Sequence, residues 1–455
     1  MPERGPRDPA PAARRDVGPT SEPFLQAVSP AGLRPADLQA QLAAALDRGG
    51  TAERRFLAVV PDSTRKLPVA QLFGALAEIL GGRAERLDAL VAQGTHPAMA
   101  PEAKRAWVFG QRQHTRGEVF DHGWDREEEL TAVGVLPLAD QLARFGEDAR
   151  HAGLLGFHHD LTIRINRRLL AYDRVILVTR VQPHEVAGYA GGAKQIFPGV
   201  SGPEMINLLH AIGSLRTNRG IHGVLPNPVR DLIDDMARYV PVALTTICLV
   251  IDDADGAIRG SYVQTDGWRA SLHAAARQSA ELNVRYVPRR VKRLVAALPR
   301  RADGSWVYPE LWTGAKGVLK TEDAVADGGE LVLWAPNIHV ISEAHGDLIQ
   351  RIGFHSYAYF FTYPERLTGA TPLALNGSTL VKGEGRMADG REIPRIDVRL
   401  ATAITPAECC AFNLGYEDHE IVAKEIASTP PNQVVDDRMV VRDAGSVLWR
   451  FRPAE

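Results

Sequence analysis

Three cysteines in 455 residues, Cys248, Cys409 and Cys410, are too few for a disulfide framework, and none stands in a C-x-x-C pair. A reducing cytoplasm is therefore the expected compartment. Nowhere do 18 apolar residues follow one another, so no membrane-spanning helix is expected. Charge of one sign is also lacking. Against 53 Lys and Arg stand 55 Asp and Glu, a net −2, which gives no overall field to attract nucleic acid or an anionic membrane, although a local patch could still hold a small anion. Internal repeats and sustained heptads are absent as well, which leaves out solenoids and coiled coils.

What is present is the composition of a globular protein with a well-filled interior, 45% hydrophobic and 24% charged. The length is too great for one core and points to two large units. Residues 1–22 are rich in Pro, Arg and Ala without an apolar stretch, and read as a floppy tail rather than a secretory signal. Their Asp, Glu and prolines also oppose the amphipathic helix of a transit peptide.

Beyond the tail, apolar residues at helical spacing predict a helix over 35–49, stopped by Gly49 and Gly50, and others over 69–80 and 205–215. Short apolar runs predict strands near 55–61 and 172–181, and a strand or short helix over 87–96. Strand, polar loop and helix in alternation imply an α/β fold with a largely parallel sheet. In such sheets ligands bind beyond the carboxyl ends of the strands, where the loops here hold Asp62 to Arg65, Thr95 to His96, and His184. The alternation restarts near 288, giving an expected first domain over 23–287 and a second over 288–429. Within the second, 328–337 reads as a strand, 406–415 as a strand or short helix, and the glycine-rich 375–394 as a surface excursion. Residues 430–455 read as a closing strand pair that could complete the first domain, and their host is left open.

The densest chemical signal is VQPHEVAGYAGGAKQIFPGVSGPEMINLLH, running from 181 to 210. It places His184 on a loop after a strand. Gly191 and Gly192 would let the backbone approach a bound group closely, a phosphate for instance, with Lys194 beside it as cation or amine nucleophile. His210 follows in mid-helix. A glycine-rich loop or a lone helical histidine is weak evidence alone, but the combination is not bland.

This segment resembles the signature of the lactate racemase family, the nickel-pincer nucleotide enzymes. Further segments agree in order: PDSTR (61–65), GTHPAM (94–99), DHGWDREEEL (121–130), PNPVRD (226–231), ELWTGAKG (310–317), ADGGELVLWAP (326–336) and NLGY (413–416). The resemblance implies two α/β domains with mainly parallel sheets and the active site in the cleft between them. The first would supply Asp62, Arg65, His96, His184, Lys194 and His210, and the second Lys316. It further implies a racemase or epimerase of a 2-hydroxy acid, with the nickel-pincer nucleotide joined covalently to Lys194 and Ni(II) bound by His210. His96 and His184 would be the acid/base pair, Arg65 and Lys316 the substrate cations, and Asp62, Gly191 and Gly192 part of the cofactor site.

The residue types suit that chemistry. The C2 proton of a 2-hydroxy acid is too weakly acidic for easy carbanion formation, whereas hydride removal with loss of the hydroxyl proton gives a planar keto acid open on both faces. Two imidazoles can serve two enantiomers, and a guanidinium can grip the carboxylate through paired hydrogen bonds. Trp312 and Thr313 stand where the lactate-specific pattern has Tyr and Gln, which leaves more room and one donor fewer. The substrate is therefore expected to be a small 2-hydroxy acid, lactate or a larger one. Enzymes that build the cofactor are the implied maturation partners, and a homo-oligomer is allowed. Two alternatives stay open. A nicotinamide-dependent 2-hydroxy-acid oxidoreductase would need the G-x-G-x-x-G spacing that GYAGGAK lacks. A cofactor-binding homologue without activity would have no need of both His96 and His184.

Overall fold

A computed structural model describes residues 23–48, 52–110, 117–301, 303–343 and 345–453. The expected tail over 1–22, and the glycines 49 and 50 expected to stop the first helix, lie outside them. The chain divides into two compact units, neither continuous in sequence: one comprises residues 1–144, 159–209 and 225–282, the other 145–158, 210–224 and 283–455. Both are mixed α/β with mostly parallel sheets.

In the first unit a seven-stranded sheet runs in the order Leu25–Val28, Ile258–Thr265, Ala243–Ile251, Arg174–Arg180, Arg55–Pro61, Arg86–Ala92, Val119–Phe120. The last five are parallel neighbours, and Ile258–Thr265 is antiparallel to both strands beside it. The expected helix over 69–80 is Val69–Leu80, and that over 35–49 is Pro35–Arg48. Both bury an apolar stripe, including Leu38, Leu42, Leu72 and Leu76, against one face of the sheet. The segment 87–96 resolves as strand Arg86–Ala92 followed by a loop. Strand Arg55–Pro61 leads by crossover to Arg86–Ala92 on one side, whereas Arg174–Arg180 lies on its other side, so chain direction across the sheet reverses between the two. Such a reversal opens a crevice at the carboxyl ends of the flanking strands.

The second unit has a six-stranded sheet ordered Gly415–Tyr416, Asp397–Thr402, Val325–Ala335, Val291–Ala297, Arg438–Val441, Val434–Val435, parallel except at the last pair. Its core is built on Val291, Leu294, Leu331, Leu333, Val398 and Leu400. Two expectations are corrected here. The closing strands within 430–455, Arg438–Val441 and Leu448–Phe451, do not pair with each other or complete the first sheet. Arg438–Val441 is parallel to Val291–Ala297 and Leu448–Phe451 to Val284–Val287, since their apolar faces match the second core. The segment 375–394 is not wholly a surface excursion. Its first part lies in helix Pro372–Lys382, with Leu375, Leu380 and Val381 buried, and only Gly385–Ala388 and Arg391–Pro394 form a hairpin. Among the described residues no helix is long and apolar enough to cross a membrane.

Candidate active site

The first unit gathers most of the expected residues at one sheet edge. Pro61 is paired in register with Ala92, so Asp62 and Gln93 leave neighbouring strands side by side, and His184 follows the strand on the other flank of Arg55–Pro61. Lys194 sits half-buried in the turn Gly192–Gln195, which packs against strands Arg55–Pro61, Arg174–Arg180 and Ala243–Ile251. Gly94 N–H donates to the Gly199 carbonyl at 3.1 Å, and Gly199 N–H to the Lys194 carbonyl at 3.3 Å, which ties the His96 loop to the Lys194 loop.

The buried Asp62 carboxylate meets His96 Nδ1 at 2.6 Å through Oδ2. Its other oxygen accepts the Thr64 backbone N–H at 2.9 Å and the Thr64 hydroxyl. Burial pushes the carboxyl up, but the hydrogen bond and charge of His96, then Thr64 and the charge of Arg65, outweigh it and hold the group down to about 2. An ionised carboxylate only accepts, so His96 carries a proton on Nδ1 and presents Nε2 as its basic atom. His184 is held the opposite way. Its Nδ1 accepts the backbone N–H of Val186 at 3.1 Å and of Ala187 at 3.4 Å, which puts the neutral ring's proton on Nε2. The two neutral rings thus present opposite tautomers, an acceptor at Nε2 of His96 and a donor at Nε2 of His184. Arg65 is half-buried, its backbone N–H donating to the Asp62 carbonyl at 3.2 Å in the loop that carries the carboxylate.

The glycines before Lys194 have a reason within the fold itself. A Cβ on Gly191 would stand 2.7 Å from Val181 Cγ2, and one on Gly192 3.2 Å from Leu272 Cδ2, so the space is filled by protein. Gly191 also has φ near +100°, where a side chain is strained. His122 is a buried strut. Nε2 donates to the Ser201 carbonyl at 3.1 Å, Nδ1 receives the Asn166 amide at 3.1 Å, and burial pulls its pKa down.

His210 belongs to the second unit rather than the first, because the division falls inside helix Pro203–Leu215. Its carbonyl accepts Ser214 Oγ at 2.7 Å and Asn376 Nδ2 at 3.4 Å. Next to Asn376 on helix Pro372–Lys382, Gly377 lacks a Cβ where the Trp312 ring lies, within 2.0 Å of the position a Cβ would take. Trp312 also meets the His345 ring, centroids 4.8 Å apart. His210 and Trp312 are thereby both seated on helix Pro372–Lys382. Thr313 Oγ1 turns back to the Glu310 carbonyl at 3.4 Å, and Lys316 begins the short helix Lys316–Leu319.

Residues 38–221 match the lactate racemase N-terminal domain family. Over that stretch the chain is similar to the lactate racemase N-terminal domain. The lactate racemase of Thermoanaerobacterium thermosaccharolyticum is 21% identical over 288 residues, 62% of this chain and 60% of that protein, so the match spans less than two thirds of the curated relative. In fold, a Thermotoga maritima protein superposes with a TM-score of 0.78 at 24% identity over 92% of this chain and 99% of its own. The lactate racemase apoprotein of T. thermosaccharolyticum gives 0.63 at 18% identity over 92% and 89%. The chain thus shares its fold with that apoprotein over most of both lengths.

Proposed function

We propose that this chain is a racemase or epimerase of a small 2-hydroxy acid that uses a nickel-pincer nucleotide attached to Lys194. The observation that carries the reading is the complementary setting of two histidines at one sheet edge, His96 with a basic Nε2 and His184 with a protonated one. Interconversion requires one proton to leave a hydroxyl and another to return from the opposite side, and two imidazoles would supply both, a neutral ring taking a proton and a doubly protonated ring giving one.

The residues fit the cofactor. Lys194 offers an amine at the crevice edge, His210 an imidazole for nickel, and the buried Oε1 of Gln93, beside the Gly94 to Gly199 link, has no hydrogen-bond partner. His210 would be the protein's ligand to nickel, and soft donors of the nucleotide would complete its coordination. When bound, that group supplies reversible hydride acceptance, by which a 2-hydroxy acid and a planar 2-keto acid interconvert. Arg65 grips the substrate carboxylate through paired hydrogen bonds. His96 takes the hydroxyl proton of one enantiomer at Nε2, and His184, once it carries a proton on both ring nitrogens, returns one from Nε2 to form the other. Trp312 and Thr313 face the group on C2. Maturation enlists the enzymes that build the cofactor.

The test is to produce the protein with and without those enzymes and to measure the intact mass, then Lys194→Ala alongside. An adduct on the wild type that Lys194→Ala lacks, together with loss of optical purity from a panel of single-enantiomer 2-hydroxy acids, is the expected result. An adduct that survives in Lys194→Ala sinks the reading.

A further inference from the structure

The segment between His184 and Lys194 is held from behind by a helix to which the reaction assigns no role. Between them the chain runs through strand Gly188–Tyr189, where the buried backbone carbonyls need hydrogen-bond partners. Three of them are met by helix Pro228–Ala237 and its cap. Asn227 Nδ2 donates to the Ala187 carbonyl at 3.4 Å, and the Arg230 guanidinium donates to the carbonyls of Tyr189 and, at 3.2 Å, Gly191. Asn227 also caps the helix by accepting the Arg230 backbone N–H at 2.9 Å, so the two side chains are fixed to each other. Arg230 is 1% exposed, a rare position for a guanidinium, and its charge is balanced by Asp234 one turn on, which Trp268 Nε1 holds at 3.0 Å. From below, the Cys248 thiol accepts the Gly192 backbone N–H.

We propose that Arg230, with Asn227, is the positioning residue that sets the Lys194 turn and keeps the attachment lysine aligned with His184. The inference rests on the reading of Lys194 as the attachment point. A charged fork is suited to this because it reaches two carbonyls at once, one of them on Gly191, where the chain turns through positive φ into the Lys194 turn. Lysine in its place keeps the charge but not the fork. A hydrocarbon takes from the Gly191 carbonyl its buried donor.

The test uses the full-length protein in three variants, Arg230→Lys, Arg230→Met and the milder Asn227→Ala, with thermal melting to confirm folding. Hydrogen exchange is followed over 186–195, and acetylation of Lys194 by sulfo-NHS-acetate is measured by peptide mass spectrometry as a function of pH. Expected are faster exchange confined to 187–194, a displaced pH profile of Lys194 acetylation, and cofactor loading lower by about 10- to 100-fold, the range seen when support behind a ligand is removed. Asn227→Ala should move each in the same direction by less, which keeps the proposal testable if an Arg230 variant does not fold. Wild-type exchange and an unmoved acetylation profile in the folded variants overturn the proposal, as does a loss of protection spread evenly over the first unit. If the wild type itself takes up no adduct, the cofactor reading fails, while exchange and acetylation still decide the role of Arg230.

Discussion

At the scale of single residues, the Asp62 to His96 pair sets both a protonation state and a stability. Asp62 sits at about 2 against an ordinary 3.8. A carboxyl whose folded value is depressed contributes stability that is fully present above its unfolded value and is lost as pH falls towards the folded one. The loss therefore falls between about pH 4 and pH 2, and Asp62 is buried enough for solvent to screen it little. Urea unfolding should show the wild type losing roughly 2 kcal/mol more than Asp62→Asn across that window. Equal losses would mean the carboxylate gains nothing from its partners. In the loaded enzyme, removing either imidazole, His96→Ala or His184→Ala, should cost interconversion about 10²- to 10⁴-fold while leaving the Lys194 adduct in place. Near-normal racemisation in either variant would end the two-histidine scheme.

Among the elements, helix Pro372–Lys382 shows what a linear reading sees and what it overlooks. Its glycine and polar residues suggested a loop, yet Gly377 is glycine because the Trp312 ring occupies the neighbouring space, and Thr371 caps the start by accepting the Ala374 N–H at 3.3 Å. That reason comes from a residue 65 positions away and leaves no mark on local spacing. Gly191 and Gly192 teach the same point. Their place beside Lys194 was legible, but their packing on Val181 and Leu272 was not. By contrast, helices 35–48 and 69–80 and the strands 55–61 and 174–180 were legible, because a periodic apolar stripe or a short buried run is a local property. The loop residues Asp62, His96 and His184 were legible through motif and through their position after strands, whereas Arg230 acts through backbone carbonyls that no sequence pattern displays. Gly377→Ala should push the Trp312 ring off the helix. The expected cost is about 1–3 kcal/mol by thermal or urea unfolding, as for overpacking elsewhere, with a changed preference among 2-hydroxy acids of different size. An unchanged melting temperature and unchanged preference would show that Trp312 has no fixed seat there.

Over the whole molecule, the two units interleave along the chain, and a boundary near 288 captures only part of that division. The second unit takes in 145–158 and 210–224 besides 283–455. These short pieces carry buried polar work. Asn218 Nδ2 donates to Glu322 Oε2 at 3.1 Å, Arg219 pairs with Asp323 at 3.3 Å, and the His222 carbonyl accepts from Arg450 at 2.7 Å. Glu322 is 1% exposed, and burial pushes its carboxyl up despite Arg395 and Asn218. Without the inserted piece 210–224 the Glu322 carboxylate loses its Asn218 donor in a dry interior, a change that costs about 1–3 kcal/mol or more for a charged group, and Asp323 gives up Arg219 at the same time. A domain of this size has about 5–15 kcal/mol in total. A fragment of 283–455 alone should therefore lack a cooperative thermal transition. Asn218→Ala in the full chain should lower the melting temperature measurably with the adduct on Lys194 unaffected. A fragment that melts cooperatively near the temperature of the intact protein would show that the second core is complete without the two inserted pieces.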